Sequence, residues 1–186
     1  MKWLDHSNLG GKHAFLSPSS YHWLRYDTKK LERAYVNNLK KEEGTALHAF
    51  ASMAINKRIK LANHKKAINM FVNDAIGFDM ASEQTLYYSD NCFGTADAIL
   101  YDEDTHTLRV HDLKTGLHIA SMEQLHIYCA LFCLEYQMNP EDIEFICCIY
   151  QGSEIREDNP EPNYIRTIME QIVKCDDILN KLKQSM

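Results

Sequence analysis

Apolar residues recur at helical spacing over the first 80 positions of this chain, then at strand spacing, then alternate between the two. Residues 1–16 show no period and contain Gly10–Gly11, which reads as a loop or arm. Ser17-Pro18-Ser19 predicts a helix start, with Ser17 as N-cap and Pro18 at the first helical position. Tyr21, Trp23, Leu24 and Tyr26 make that short helix aromatic, for core packing or for base stacking. Residues 28–62 read as mostly helical with room for a break. After Glu42-Glu43-Gly44-Thr45 a more apolar helix is expected, with Thr45 as its cap and Ala46, Leu47, Phe50, Ala51, Ala54 and Ile55 as its stripe. A further amphipathic helix is expected over 64–79.

The period then shortens. Strands are expected over 84–89, 92–101 and 107–114, with Gly116 ending the third. A helix over about 119–137 stops at Asn139-Pro140. Residues 143–150 (Ile-Glu-Phe-Ile-Cys-Cys-Ile-Tyr) read as a central strand. Residues 152–163 read as a polar loop, Tyr164–Arg166 as a short strand, and 167–184 as a last helix. The helix between the third and fourth strands is long enough to bridge a parallel pair. The expected fold is α/β: a mixed sheet in the order α-β-β-β-α-β, covered by helices.

Two of these strands carry chemistry. Asp97 lies on one and Asp112 on the next, with Lys114 two residues further on. Residues i and i+2 of a strand share a face, so Asp112 and Lys114 project together. A four-residue loop at Glu103–His106 sets Asp97 opposite Asp112. Two acids and a lysine in a half-buried sheet are unfavourable unless compensated, and a divalent cation is the natural compensation. The plainer alternative is a charge cluster on a solvated face. His111 should face the other way.

Charge is distributed unevenly. The net charge is −6. Residues 25–66 carry +7, residues 1–24 carry +1 and residues 67–186 carry −14. A basic first third suits a polyanionic partner, although solvated helix faces account for part of it. No run approaches the roughly 18 apolar residues of a membrane span, and the first residues lack an apolar signal region. A cytosolic protein is expected. Six cysteines stand at 92, 129, 133, 147, 148 and 175 without a CxxC, which points to reduced core residues; a four-cysteine metal site is the alternative.

Four segments, Glu-Gly-Thr-Ala-Leu-His (43–48), Gly-Thr-Ala-Asp-Ala-Ile (94–99), His-Asp-Leu-Lys-Thr-Gly (111–116) and Gln-Leu-His-Ile-Tyr (124–128), together resemble the PD-(D/E)XK nuclease superfamily in its RecB-like, phage-type exonuclease branch. They come in the family's order and spacing, over roughly residues 17–150. The resemblance implies a restriction-endonuclease-like core and a single domain over 1–186. Its parts would be an arm (1–16), a helical basic part (17–80), a catalytic core (84–150) and a C-terminal helix (164–186).

The resemblance also implies roles. Asp97 and Asp112 would bind Mg²⁺ or Mn²⁺, with the backbone carbonyl of Leu113 and His48 as further ligands. Lys114 would orient the attacking water and offset charge. Gln124 and Tyr128, four apart on one helix face, would support the site or touch the DNA backbone. Lys29, Lys30, Arg33, Lys40 and Lys41 would bind substrate phosphates. Glu43, Glu83 and Asp90 are further candidate metal or water contacts. The chain departs from the family in having Ala96 where proline often precedes the aspartate. No cysteine precedes Cys92, so the iron–sulfur cluster of one subset is not expected.

The expected activity is a metal-dependent deoxyribonuclease, an exonuclease rather than a sequence-specific endonuclease, acting on single strands or duplex ends in recombination, repair or processing. It would act alone, as a homo-oligomer or with a separate recombination or replication protein, away from membranes. The alternatives are a non-catalytic DNA-binding or protein-docking module on the same fold, and a structural metal protein using the cysteines.

Overall fold

The computed structural model describes residues 15, 16, 18–116 and 118–185, with side chains from residue 22 onward and at 15 and 16. The expected N-cap at Ser17 and nearly all of the arm lie outside the described residues. By internal contacts the chain divides into two units, Met1–Thr45 and Ala46–Met186.

In the first unit a 3-10 helix spans Pro18–Arg25 and leads to α1, Thr28–Asn56, whose residues from Ala46 onward belong to the second unit. Asp27 precedes α1, and its carboxylate accepts the Lys30 amide at 2.7 Å, which satisfies an orphan donor of the first turn. Helix α1 runs unbroken through Glu42–Thr45, so the expected restart there does not occur. Thr45 does not cap: its hydroxyl donates to the Lys41 carbonyl at 3.1 Å, one turn back, a bond available inside a helix. Buried Gly44 is passed without a break, because one glycine costs only about 1 kcal/mol in a helix.

The second unit is an α/β structure with a five-stranded mixed sheet flanked by helices. Its elements are α2 (Ala67–Gly77), β1 (Ala81–Ser89), β2 (Cys92–Asp102), β3 (Thr107–Lys114), α3 (Glu123–Glu135), β4 (Glu144–Gln151), β5 (Glu154–Asp158) and α4 (Pro162–Ser185). The strand order is β1-β2-β3-β4-β5. All neighbours are antiparallel except β3 and β4, which run parallel with α3 between them in the chain, as a crossover requires. No helix among the described residues is long and apolar enough to cross a membrane.

One stretch of the sequence reading is wrong. Residues 154–158 form β5 inside the expected polar loop, and Tyr164–Arg166 lie in α4 rather than in a strand. Strand β5 (Glu-Ile-Arg-Glu-Asp) covers the edge of the sheet and has mostly polar side chains, so its composition carried little strand signal. The Gly152-Ser153 turn before it, with Gly152 at φ 64°, is a two-residue hairpin connection that the sequence did offer. The helix at 119–137 is also shorter than expected, over Glu123–Glu135.

Each face of the sheet buries its own core. Leu86, Ala96, Ile99, Leu108, Val110, Phe145, Cys147 and Ile149 pack against α3 and Ile165 of α4. Ala98, Leu113, Cys148 and Tyr150 pack against Ala51, Ala54 and Ile55 of α1 and Phe71, Val72 and Ala75 of α2. Strand alternation predicts that Ala96 and Ala98 share a face, and they do not. The chain switches faces at Asp97. Opposite, the β1–β2 ladder steps from Ser82↔Ala98 to Gln84↔Ala96 across Glu83, whose φ of 54° lies in the left-handed region. This irregularity places the site.

Candidate metal centre

The connection between β2 and β3 has the expected four residues, and the ladder runs from Asp102↔Thr107 to Ala98↔His111. One more step would set Asp97 opposite Asp112. The strands part there instead. The Asp97 carboxylate turns in, and its Oδ2 accepts the Leu113 amide at 2.9 Å. The same oxygen lies 3.3 Å from Nδ1 of His48, on the part of α1 that packs on this side of the sheet. Glu83 completes a trio: one ligand atom each from His48, Glu83 and Asp97 lies within 4.8 Å of the others.

Asp112 and Lys114 project together, as alternation requires. The Lys114 ammonium donates to Asp112 Oδ1 at 3.0 Å and to Gln124 Oε1 at 2.8 Å. It lies as near to Asp112 Oδ2, 3.0 Å, but that oxygen is buried and receives no well-angled hydrogen bond. Gln124 Nε2 donates to the Tyr128 hydroxyl at 3.3 Å, which donates to the Thr95 carbonyl at 2.6 Å. A relay of donors thus runs from β3 through α3 back to β2. Gly94 makes it possible: a Cβ there would meet the Tyr128 ring at 3.1 Å.

The electrostatics are those of a crowded anionic pocket. The hydrogen bond to Asp97 pushes the His48 pKa up, against the effect of burial. Burial, then the Asp97 charge, raises Glu83. Burial, then Asp97, also raises Asp112, and Lys114 offsets this only in part. Two carboxylates and one histidine that each favour the protonated form are disposed to exchange protons for a cation.

The donor set fits a divalent cation. Carboxylate oxygens are hard ligands, imidazole is compatible with them, and the buried Asp112 Oδ2, beside the Lys114 ammonium, accepts no well-angled hydrogen bond. His48, Glu83 and Asp97 would hold the ion, with Asp112 at its edge. Two features of the geometry bear on the expected ligands. Glu83, one of the further candidates, has a left-handed backbone that carries its carboxylate to Asp97. Asp112 stands outside the close trio, beside Lys114. Leu113 meets the site through its amide.

Of the other candidates, Asp90 accepts from the Tyr87 hydroxyl at 2.9 Å, and Glu43 is exposed on α1. Lys29, Lys30, Arg33, Lys40 and Lys41 are all exposed on α1 in the first unit, with the Lys30 ammonium 4.6 Å from the Tyr26 ring centre. The cysteines are free thiols. Cys129 and Cys147 meet in the core with sulfurs 3.6 Å apart, and burial pushes Cys133 and Cys148 up to about 12.

Sequence reasoning missed what holds the loop after Lys114. Gln151, paired with Lys114 across the parallel ladder, donates to the Gly116 and His118 carbonyls at 2.6 and 2.7 Å. Arg156 of β5 donates to the Ala120 carbonyl at 2.5 Å. Arg156 lies on the strand that was not expected, and Gln151 is the last residue of β4, one past the expected end of that strand. An apolar groove of about 530 Å³, lined by Cys92, Ile127, Ile168, Ile172 and Cys175, contains none of the site residues. No protein-family model matches the chain, and no curated protein matches it.

Proposed function

We propose that this chain is a metal-dependent deoxyribonuclease with a restriction-endonuclease-like core, of the PD-(D/E)XK kind and its RecB-like branch. The observation that carries the reading is the junction where β2 and β3 part. Asp97 bridges His48 and the Leu113 amide there, Asp112 keeps a buried oxygen without a well-angled hydrogen bond, and Lys114 is fixed between Asp112 and Gln124. An isolated structural ion pair does not need this arrangement. Hydrolysis of a phosphodiester does, because negative charge grows on phosphorus oxygens beside a water that must lose a proton.

A bound Mg²⁺ or Mn²⁺ would act as Lewis acid towards the phosphate. The protein's own groups supply the rest. Lys114, pinned by two acceptors, presents its ammonium to the incoming water and to the developing charge. Gln124 and Tyr128 keep Lys114 from swinging away, because Tyr128 is tied to the β2 backbone. The exposed basic face of α1 suits phosphate contacts that carry no sequence information. That favours an exonuclease over a sequence-specific endonuclease, working on DNA in the cytoplasm of a bacterium or of a phage-infected cell.

The test is digestion of end-labelled single- and double-stranded DNA with Mg²⁺ or Mn²⁺. Wild type should release labelled product, and Lys114→Ala should lose about 10³-fold in rate while keeping its thermal midpoint. Equal rates for the two proteins would remove the assignment.

A further inference from the structure

The face of the β1–β2 hairpin that carries the metal trio does not end there. Strand alternation puts residues 83, 85 and 87 of β1 and 93, 95 and 97 of β2 on one side, opposite the face that packs on α3. The register makes three successive rungs of them. The first is Glu83 with Asp97, in the trio with His48. The second is Thr85 with Thr95, both exposed, their hydroxyls 3.0 Å apart. The third is Tyr87 with Phe93, whose rings stack at 6.3 Å between centroids and 27° between planes. Carboxylates, hydroxyls and aromatics thus follow one another along a single strip. At about 3.3 Å per residue, the aromatic rung lies about 13 Å from the acidic one.

This aromatic rung is open to solvent. Phe93 is 61% exposed and Tyr87 46%. The Tyr87 hydroxyl is anchored on Asp90, so the ring is held in place. Phe93 also lines a cleft of about 460 Å³ that holds Lys114, Gln124 and Tyr128. Phe93 therefore borders the cleft beside Lys114, and Tyr87 adjoins it through the stacked pair.

Resting on the nuclease reading, we propose that Phe93 and Tyr87 form a stacking platform for an unpaired base, so that the site takes a single-stranded nucleic acid. A strand with one phosphate at the trio would pass its next sugar–phosphate over Thr85 and Thr95, where hydroxyls can donate to phosphate oxygens. A base one or two nucleotides away would then meet the aromatic rung. In a duplex the flat faces of bases are already covered by their neighbours, so only an unpaired base offers its face to the rings. Stacking is indifferent to base identity, as a strand-degrading site requires.

Binding can be read without hydrolysis. Labelled oligothymidine, the same strand with abasic positions, and a blunt duplex are titrated with the full chain in EDTA, following fluorescence anisotropy. Phe93→Ala and Tyr87→Ala should each weaken oligothymidine binding roughly ten-fold, the scale of one lost base–aromatic stack. Phe93→Leu, which keeps apolar volume without a ring, should lose as much. Phe93→Trp should retain affinity, with indole fluorescence quenched on binding. The abasic strand should bind wild type more weakly and be insensitive to Phe93→Ala.

The proposal is overturned if wild type does not bind the oligonucleotide, or if the Phe93→Ala/Tyr87→Ala pair binds it as wild type does. It is equally overturned if the pair changes the oligomeric state in sedimentation and leaves strand affinity alone, since the rings then serve a protein contact. The two readings fail separately. A wild type that binds but does not cut with Mn²⁺ sinks the nuclease and leaves the platform. One that cuts while the aromatic variants bind normally sinks the platform alone.

Discussion

Two histidines on one side of the same sheet meet carboxylates in opposite ways. His48 touches Asp97 in a pocket that stays partly open, and that contact raises its pKa. His111 lies inside the core against α2. Its Nδ1 is 3.1 Å from the Tyr150 hydroxyl, and that hydroxyl donates to Asp74 at 2.9 Å. Phe78 closes over the ring, and burial pushes the pKa of His111 down to about 4. Tyr150 stands between His111 and Asp74, so its hydroxyl keeps the ring and the carboxylate apart. Both clusters hold a histidine, an acid and an unpartnered buried atom. Only the first leaves oxygens of three acids and a lysine facing one another. A histidine beside an acid marks a site when lone pairs are left over, and marks packing when a hydroxyl has consumed them.

The largest test of that contrast exchanges the acids. Asp97→Asn should slow Mn²⁺-dependent hydrolysis about 10³-fold, equivalent to about 4 kcal/mol of barrier. Asp74→Asn should leave the rate intact and lower the denaturant midpoint. The reverse pattern would move the chemistry to the buried cluster.

His111 predicts a pH effect of the next size. Its folded pKa of about 4 lies below the ordinary 6.5, so the unfolded chain binds the extra proton over that interval. The stability contributed by the neutral ring is complete above about pH 6.5 and lost as pH falls to about 4, amounting to about 3 kcal/mol. Urea midpoints across that range should show the slope in wild type and a smaller slope in His111→Gln. Parallel curves would mean that the ring is not the cause.

Gly94→Ala sharpens the relay on the open side. The new methyl would press on the Tyr128 ring, which is tied at its hydroxyl, so a loss of about 2 kcal/mol in stability is expected together with slower hydrolysis. An unchanged rate would show that Tyr128 does not help to hold Gln124 and Lys114.

The smallest effect concerns Glu83. Its left-handed backbone is strained for a side-chain residue, and Glu83→Gly should recover about 1 kcal/mol while weakening Mn²⁺ binding measured by calorimetry. Tighter or equal metal binding would exclude Glu83 from the ligand set.

Much of this was legible in the sequence. Four of the five strands, the hairpin register and the parallel crossover followed from apolar period and loop length. The common face of Asp112 and Lys114 followed from strand alternation, and that of Gln124 and Tyr128 from helical spacing, because both depend only on local backbone repeat. Strand β5 escaped because an edge strand with polar side chains has no apolar alternation to read. With it went the Arg156 brace of the loop after Lys114, while the Gln151 brace at the end of β4 depends on a tertiary contact that no periodic rule gives.

The grouping of His48, Glu83 and Asp97 was decided by tertiary structure alone. Residues 48, 83 and 97 are far apart in the chain, and no periodic rule brings a helix histidine to a strand break. The break arises where β2 exchanges one buried face for the other, between Ala96 facing α3 and Ala98 facing α1 and α2. That exchange frees the Leu113 amide for Asp97 and sets Glu83 in a conformation its residue type does not prefer. The sequence determined which acids were available. The packing of two different cores on one sheet decided that Glu83 would join Asp97 and His48, while Asp112 stayed with Lys114.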